Sequence, residues 1–154
     1  MQVGADIDGE AADDKSGDSV SLSSDGSRVA IGAYNNDGGG SNSGHVRIYD
    51  YNGSAWVQVG ADIDGEAAGD RSGQEVSLSS DGSRLAIGAV NNGGNGANSG
   101  HVRIFDYTPS GTSSWTQVGA DIDGEATSDY SASSISLSSD GSRVAIGAEA
   151  NDGN

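Results

Sequence analysis

Apolar and polar residues alternate along this chain in short runs. In Ser19–Ser23, Val20 and Leu22 alternate with serines. In Arg28–Ala33, Val29 and Ile31 share one face, with Ala30 and Gly32 opposite. His45–Tyr51 alternates Val46 and Ile48 with His45, Arg47, Tyr49 and Tyr51. Trp56–Ile63 sets Val57, Val59, Ala61 and Ile63 against Trp56, Gln58 and Gly60. A period of two, bounded by Gly, Asn, Asp and Ser, predicts four strands. Ser-Asp-Gly-Ser between the first two predicts a tight hairpin, because glycine accepts the positive φ of such turns. No window carries a helical period with caps, so an all-β fold is expected.

The four runs return. Gln2–Ala11 recurs letter for letter at Gln58–Ala67 and Gln117–Ala126, at spacings of 56 and 59 residues. Ser21–Ala33 returns at Ser77–Ala89 with Leu85 for valine, and unchanged at Ser136–Ala148. Ser43–Tyr51 returns at Ser99–Tyr107 with Phe105 for tyrosine. The extra residues of the second copy fall in Thr108–Ser114, a Gly/Ser/Pro segment that reads as a surface loop. The repeats are expected at 2–57, 58–116 and, incomplete, 117–154.

Four antiparallel strands in 56–59 residues is the size of one β-propeller blade. A blade lies between neighbours, so both faces must be moderately apolar and one can be thin, as Val/Ile opposite Ala/Gly would be. The fold class expected is therefore a run of about 2.7 blades. Closure of a propeller needs about four or more. The expectation is a chain that either continues into further blades or associates with copies of itself.

Composition acquires meaning only against that repeat. Glycine and serine each supply 26 of 154 residues, a share that alone would suggest a flexible segment. Here they fall at fixed offsets, in turns and on thin strand faces. Seven basic residues against 23 acidic ones leave a net charge of −16, which excludes a nucleic-acid surface. Without cysteine there is no disulfide, thiolate metal site or thiol nucleophile. No apolar run is long enough for a membrane helix, and no signal-peptide pattern follows Met1.

The order of segments resembles the FG-GAP repeat of integrin α-subunit heads and many microbial surface proteins. The stretches that carry the resemblance are Ser16–Ala33, Ser43–Tyr51 and Ala55–Ala67. Ser16-Gly17 and Ser72-Gly73 stand where that family has Phe-Gly. Gly32-Ala33, Gly88-Ala89 and Gly147-Ala148 stand where it has Gly-Ala-Pro. The resemblance implies a propeller fold and a role outside the cell or at its surface. It also implies a Ca²⁺ loop of D-x-D-x-D-G type in the first hairpin. That hairpin here has one acid per copy, Asp25, Asp81 and Asp140, which reads instead as an Asx-type turn.

The densest acidic stretch is elsewhere. It places Asp6, Asp8, Glu10 and Asp14, then Asp62, Asp64, Glu66 and Asp70, then Asp121, Asp123, Glu125 and Asp129 within nine residues each. Two readings stand: one Ca²⁺ per repeat held by Asp6/Asp8/Glu10 and their copies, or carboxylates accepting backbone N–H groups at a connection between blades. His45 and His101, Arg28 and Arg47 with their copies, and Trp56 and Trp115 read as structural. A catalytic site needs different groups converging, whereas these recur identically. The loops 34–44 and 90–100 would lie on a rim and either meet a protein or glycan partner or stay solvated. Asn52 begins a glycosylation sequon, and Thr108–Ser114 could accept O-glycans.

The function expected is a non-catalytic extracellular module for binding, adhesion or scaffolding. The alternatives are a self-assembling filament or coat subunit, and part of a larger propeller enzyme.

Overall fold

The structure is a computed structural model that describes residues 2–109 and 114–153. Twelve strands are present among the described residues, and every pair of them that is joined runs antiparallel. The first sheet holds β1 (Ser16–Leu22), β2 (Arg28–Ala33), β3 (His45–Tyr51), β4 (Trp56–Gln58) and β5 (Ile63–Asp64). The second holds β6 (Ser72–Leu78), β7 (Arg84–Ala89), β8 (His101–Thr108), β9 (Ser114–Gln117) and β10 (Ile122–Asp123). The third is the hairpin β11 (Ser131–Leu137) and β12 (Val144–Ala148). The central part of the Thr108–Ser114 loop, 110–113, lies outside the described residues.

The all-β expectation holds, but each full sheet has five strands where four were expected. The run Trp56–Ile63 is broken at Gly60, whose φ of 82° turns the chain out of the extended region. Its two halves, β4 and β5, both pair with β3, at opposite ends. Gly119 (φ 75°) breaks the second copy in the same way. The sheets also begin later than the repeat frame, at Ser16, Ser72 and Ser131.

Sheets pack face to face through the alternation. The Ala/Gly-lined face of the first sheet, with Ala30, Val46 and Ile48, meets Val76, Leu78, Leu85, Ile87 and Phe105 of the second. Fully burying an aliphatic side chain such as Leu85 or Ile87 is worth about 1.5–3 kcal/mol. The second sheet presents Ala86 and Val102 in the same way to Ile135, Leu137, Val144 and Ile146. The thin face matters at Gly32, where a Cβ would collide with the Gly73 carbonyl of the next sheet.

The serines between the apolar residues have a defined task. Ser19 and Ser21 accept the backbone N–H groups of Val76 and Leu78 at 3.1 and 2.9 Å, and Ser77 accepts that of Leu137 at 3.0 Å. These strands are sheet edges, and the hydroxyls satisfy N–H groups that no strand pairs.

The outward face of the first sheet is the counterpart of the Val76/Leu78 face. Val29, Ile31 and Tyr49 on it are covered by Ile7 and Trp56, while Val20 and Leu22 remain 58% and 57% exposed.

Candidate functional site

The acidic segments are the connections between sheets, and local bonds fix their course. Gln2, Gln58 and Gln117 each donate from Nε2 to the aspartate four residues on, Asp6, Asp62 and Asp121, at 2.6–2.7 Å. At the other end, Asp14, Asp70 and Asp129 are buried. Each accepts a backbone N–H three residues back and an asparagine Nδ2, from Asn36, Asn92 and Asn151. The backbone carbonyls of Asp8 and Asp64 accept the Nη2 of Arg47 and Arg103, both at 2.7 Å.

Successive segments converge on one ring nitrogen of one histidine. His45 opens β3, with its Nδ1 3.7 Å from Glu10 Oε2 of the segment before and 3.9 Å from Asp62 Oδ2 of the segment after. His101 opens β8 and stands 3.9 Å from Glu66 and 3.8 Å from Asp121. Both imidazoles are about fully buried, with side chains 2% and 1% exposed. Neither Nδ1 has a hydrogen-bond partner, which costs about 1–3 kcal/mol per buried group. Burial lowers the His101 pKa, opposed by Asp121 and Glu66. The second oxygens of Glu10 and Glu66 face Arg47 and Arg103 at 3.8 Å.

The expected site residues are therefore divided. Among the described residues, two groups bring three potential ligand atoms within 4.8 Å: Glu10, His45 and Asp62, and Glu66, His101 and Asp121. Asp6, Asp8, Asp64, Asp123 and Glu125 belong to neither. Carboxylates of one segment do not converge; carboxylates of consecutive segments do. The sequence reading took the histidines as structural and weighed the acids one segment at a time, so it did not group the two. His45 follows Glu10 by 35 residues and His101 follows Glu66 by the same 35, but the repeat imposes that equality on any pair of equivalent positions, so spacing carried no separate signal.

Other positions are structural in their contacts. Asp25 accepts the Ser27 backbone N–H at 2.9 Å and the Ser23 and Ser27 hydroxyls, and these bonds pull its pKa down to about 2. Asp81 and Asp140 repeat the turn. Trp56 and Trp115 donate to the carbonyls of Val3 and Val59 and lie 5.3 Å from Tyr51 and Tyr107. The loops 34–44 and 90–100 are tied to the following acidic segments. Gly65 donates to Gly44, Gly69 to Ser41 and Ser72 to Ser43, with equivalents one repeat on. Asn52 is exposed, and its Oδ1 accepts Ser54 and Ala55 in a turn.

The fold and this site define an all-β repeat protein of packed antiparallel sheets, with an equivalent cluster on each of the two five-stranded sheets. The FG-GAP repeat family model matches residues 6–49, from the first acidic segment through most of β3. The resemblance read from the residue pattern is thus borne out for that stretch. No curated protein matches the chain.

Proposed function

We propose that this chain is a non-catalytic module for binding or scaffolding at the cell surface or outside the cell, its sheets serving as blades of a propeller-type array. The observation that carries the reading is the equivalence of the two junctions. Arg28 bridges Asp50 to the Gly82 carbonyl, and Arg84 bridges Asp106 to that of Gly141. The histidine clusters, tryptophans and turn aspartates recur in matching surroundings. The same groups repeated at equivalent places, rather than one unique constellation, suit a partner protein or glycan that meets a periodic surface. The strong acidity of the surface turns such a partner toward basic or hydroxyl-rich chemistry and away from nucleic acid.

The test is binding of the immobilised chain to arrays of purified glycans and matrix proteins, beside assays for hydrolysis of the bound ligands. Saturable binding without turnover is expected. Turnover that a single substitution abolishes would overturn the reading.

A second reading has one observation in its favour. The face carrying exposed Val20 and Leu22 has the make-up of the face that covers itself, in the second sheet, against the first. Its natural occupant is another blade of this type, in a head-to-tail contact. In sedimentation velocity the chain would then self-associate with concentration, and Leu22→Asp would abolish this. A monomer at every concentration would refute self-association through this face.

A further inference from the structure

We propose that each five-stranded sheet carries a binding site for a late first-row divalent cation of the zinc type, where the acidic segments before and after it meet, held by Glu10, His45 and Asp62 on the first sheet and by Glu66, His101 and Asp121 on the second. The proposal is independent of which partner the module binds.

A buried polar nitrogen without a partner is rare enough to require a cause. Here the same nitrogen is orphaned twice, at equivalent places, and each time it points at two carboxylates. Separations of 3.7–3.9 Å are too long for hydrogen bonds, which centre near about 2.9 Å. They match instead two ligands on either side of a small cation. Zinc bonds of about 2.0–2.2 Å put neighbouring ligand atoms about 3.4 Å apart in a tetrahedron. The histidine–carboxylate separations need to close by only a few tenths of an ångström, and the side chains of Glu10 and Glu66 are exposed.

The donor set selects the metal. One imidazole nitrogen with two carboxylate oxygens suits zinc and its neighbours, whereas calcium and magnesium take oxygen alone. Three protein ligands leave a fourth position for water. Outer groups support the arrangement. Arg47 and Arg103 face the remaining oxygen of each glutamate and turn its partner oxygen toward the histidine. Asn36 Nδ2 lies 3.4 Å from Glu10 Oε2. The guanidinium also offsets part of the charge that two carboxylates bring together.

Each site joins three separate parts of the chain: two acidic segments and the start of β3 or β8. A bound cation would therefore cross-link consecutive connections and stabilise the junction by mass action.

The experiment is titration of the metal-stripped full chain with zinc chloride and, separately, calcium chloride, by calorimetry. It is read together with nitrogen NMR of the side chains of His45 and His101, the only two histidines. Two zinc equivalents are expected, with both Nδ1 resonances shifting on saturation, and no competition from calcium. Glu10→Gln or Asp62→Asn should weaken one equivalent by about tenfold or more and leave the other. These side chains are at least partly exposed, so the variants should fold; a thermal melt without metal checks this. Zinc binding that leaves the imidazole nitrogens unmoved, or a stoichiometry that the variants do not alter, would overturn the proposal. So would equal binding of calcium at the same sites.

Discussion

Asp50 accepts two hydrogen bonds from the Arg28 guanidinium, at 2.6 and 2.7 Å, while the third arm of that guanidinium reaches the Gly82 carbonyl at 2.9 Å. One side chain thus ties the end of its own hairpin to the turn of the next sheet. It also stacks on Tyr107, 4.0 Å from the ring centre. Arg28→Ala removes a bidentate charge-assisted pair and an inter-sheet bond and should cost about 2–3 kcal/mol in chemical denaturation. Arg143 is its exposed counterpart in the third sheet, and Arg143→Ala should change stability by less than about 0.5 kcal/mol. Equal losses at the two positions would show that the inter-sheet contact contributes nothing.

Two glycines separate steric need from conformational need. At Gly32 an added Cβ meets the backbone carbonyl of Gly73, which cannot move without parting the sheets. Gly32→Ala should cost about 3 kcal/mol or more, or prevent folding. Gly53 has open space around it but a φ of 95°. Gly53→Ala should cost about 1 kcal/mol, through backbone strain alone. Thermal melts of both variants check the order.

The hairpin aspartates set an acid limit. Asp25 and Asp140 are lowered from 3.8 to about 2, and Asp81 is lowered too, by bonds from turn N–H and hydroxyl groups. A depressed carboxylate adds stability above its unfolded pKa and loses it as pH falls through the folded value. The melting temperature should therefore fall between about pH 4 and pH 2. Replacing all three by asparagine keeps the turn acceptor but removes the titration. The variant should lose less over that interval than the parent. An unchanged acid profile would contradict the assignment.

Much of the architecture was legible because burial recurs with the repeat. Val29, Ile31, Val46 and Ile48 fall in the strands where alternation put them. The break at Gly60 was not legible, since the pattern continues through Ala61 and Ile63 and only the backbone angle reveals the turn. The alternation only set the serines of β1 opposite Val20 and Leu22, and the neighbouring sheet shows them capping an edge. The loops 34–44 read as an open rim for the same reason. Their bonds run to residues 65–72, a separation that local pattern does not encode. The acidic segments were singled out correctly as dense in carboxylate. Which acids meet depends on two segments approaching one histidine, and that is a property of the fold.

Whether this module works outside the cell is tested most directly by its location in intact producing cells. An antibody to the folded chain, applied before and after lysis and with external protease, reads this without knowledge of any ligand. Antibody and protease are expected to reach the protein on unbroken cells or in the medium. Detection only after lysis, with full protection from external protease, would contradict it.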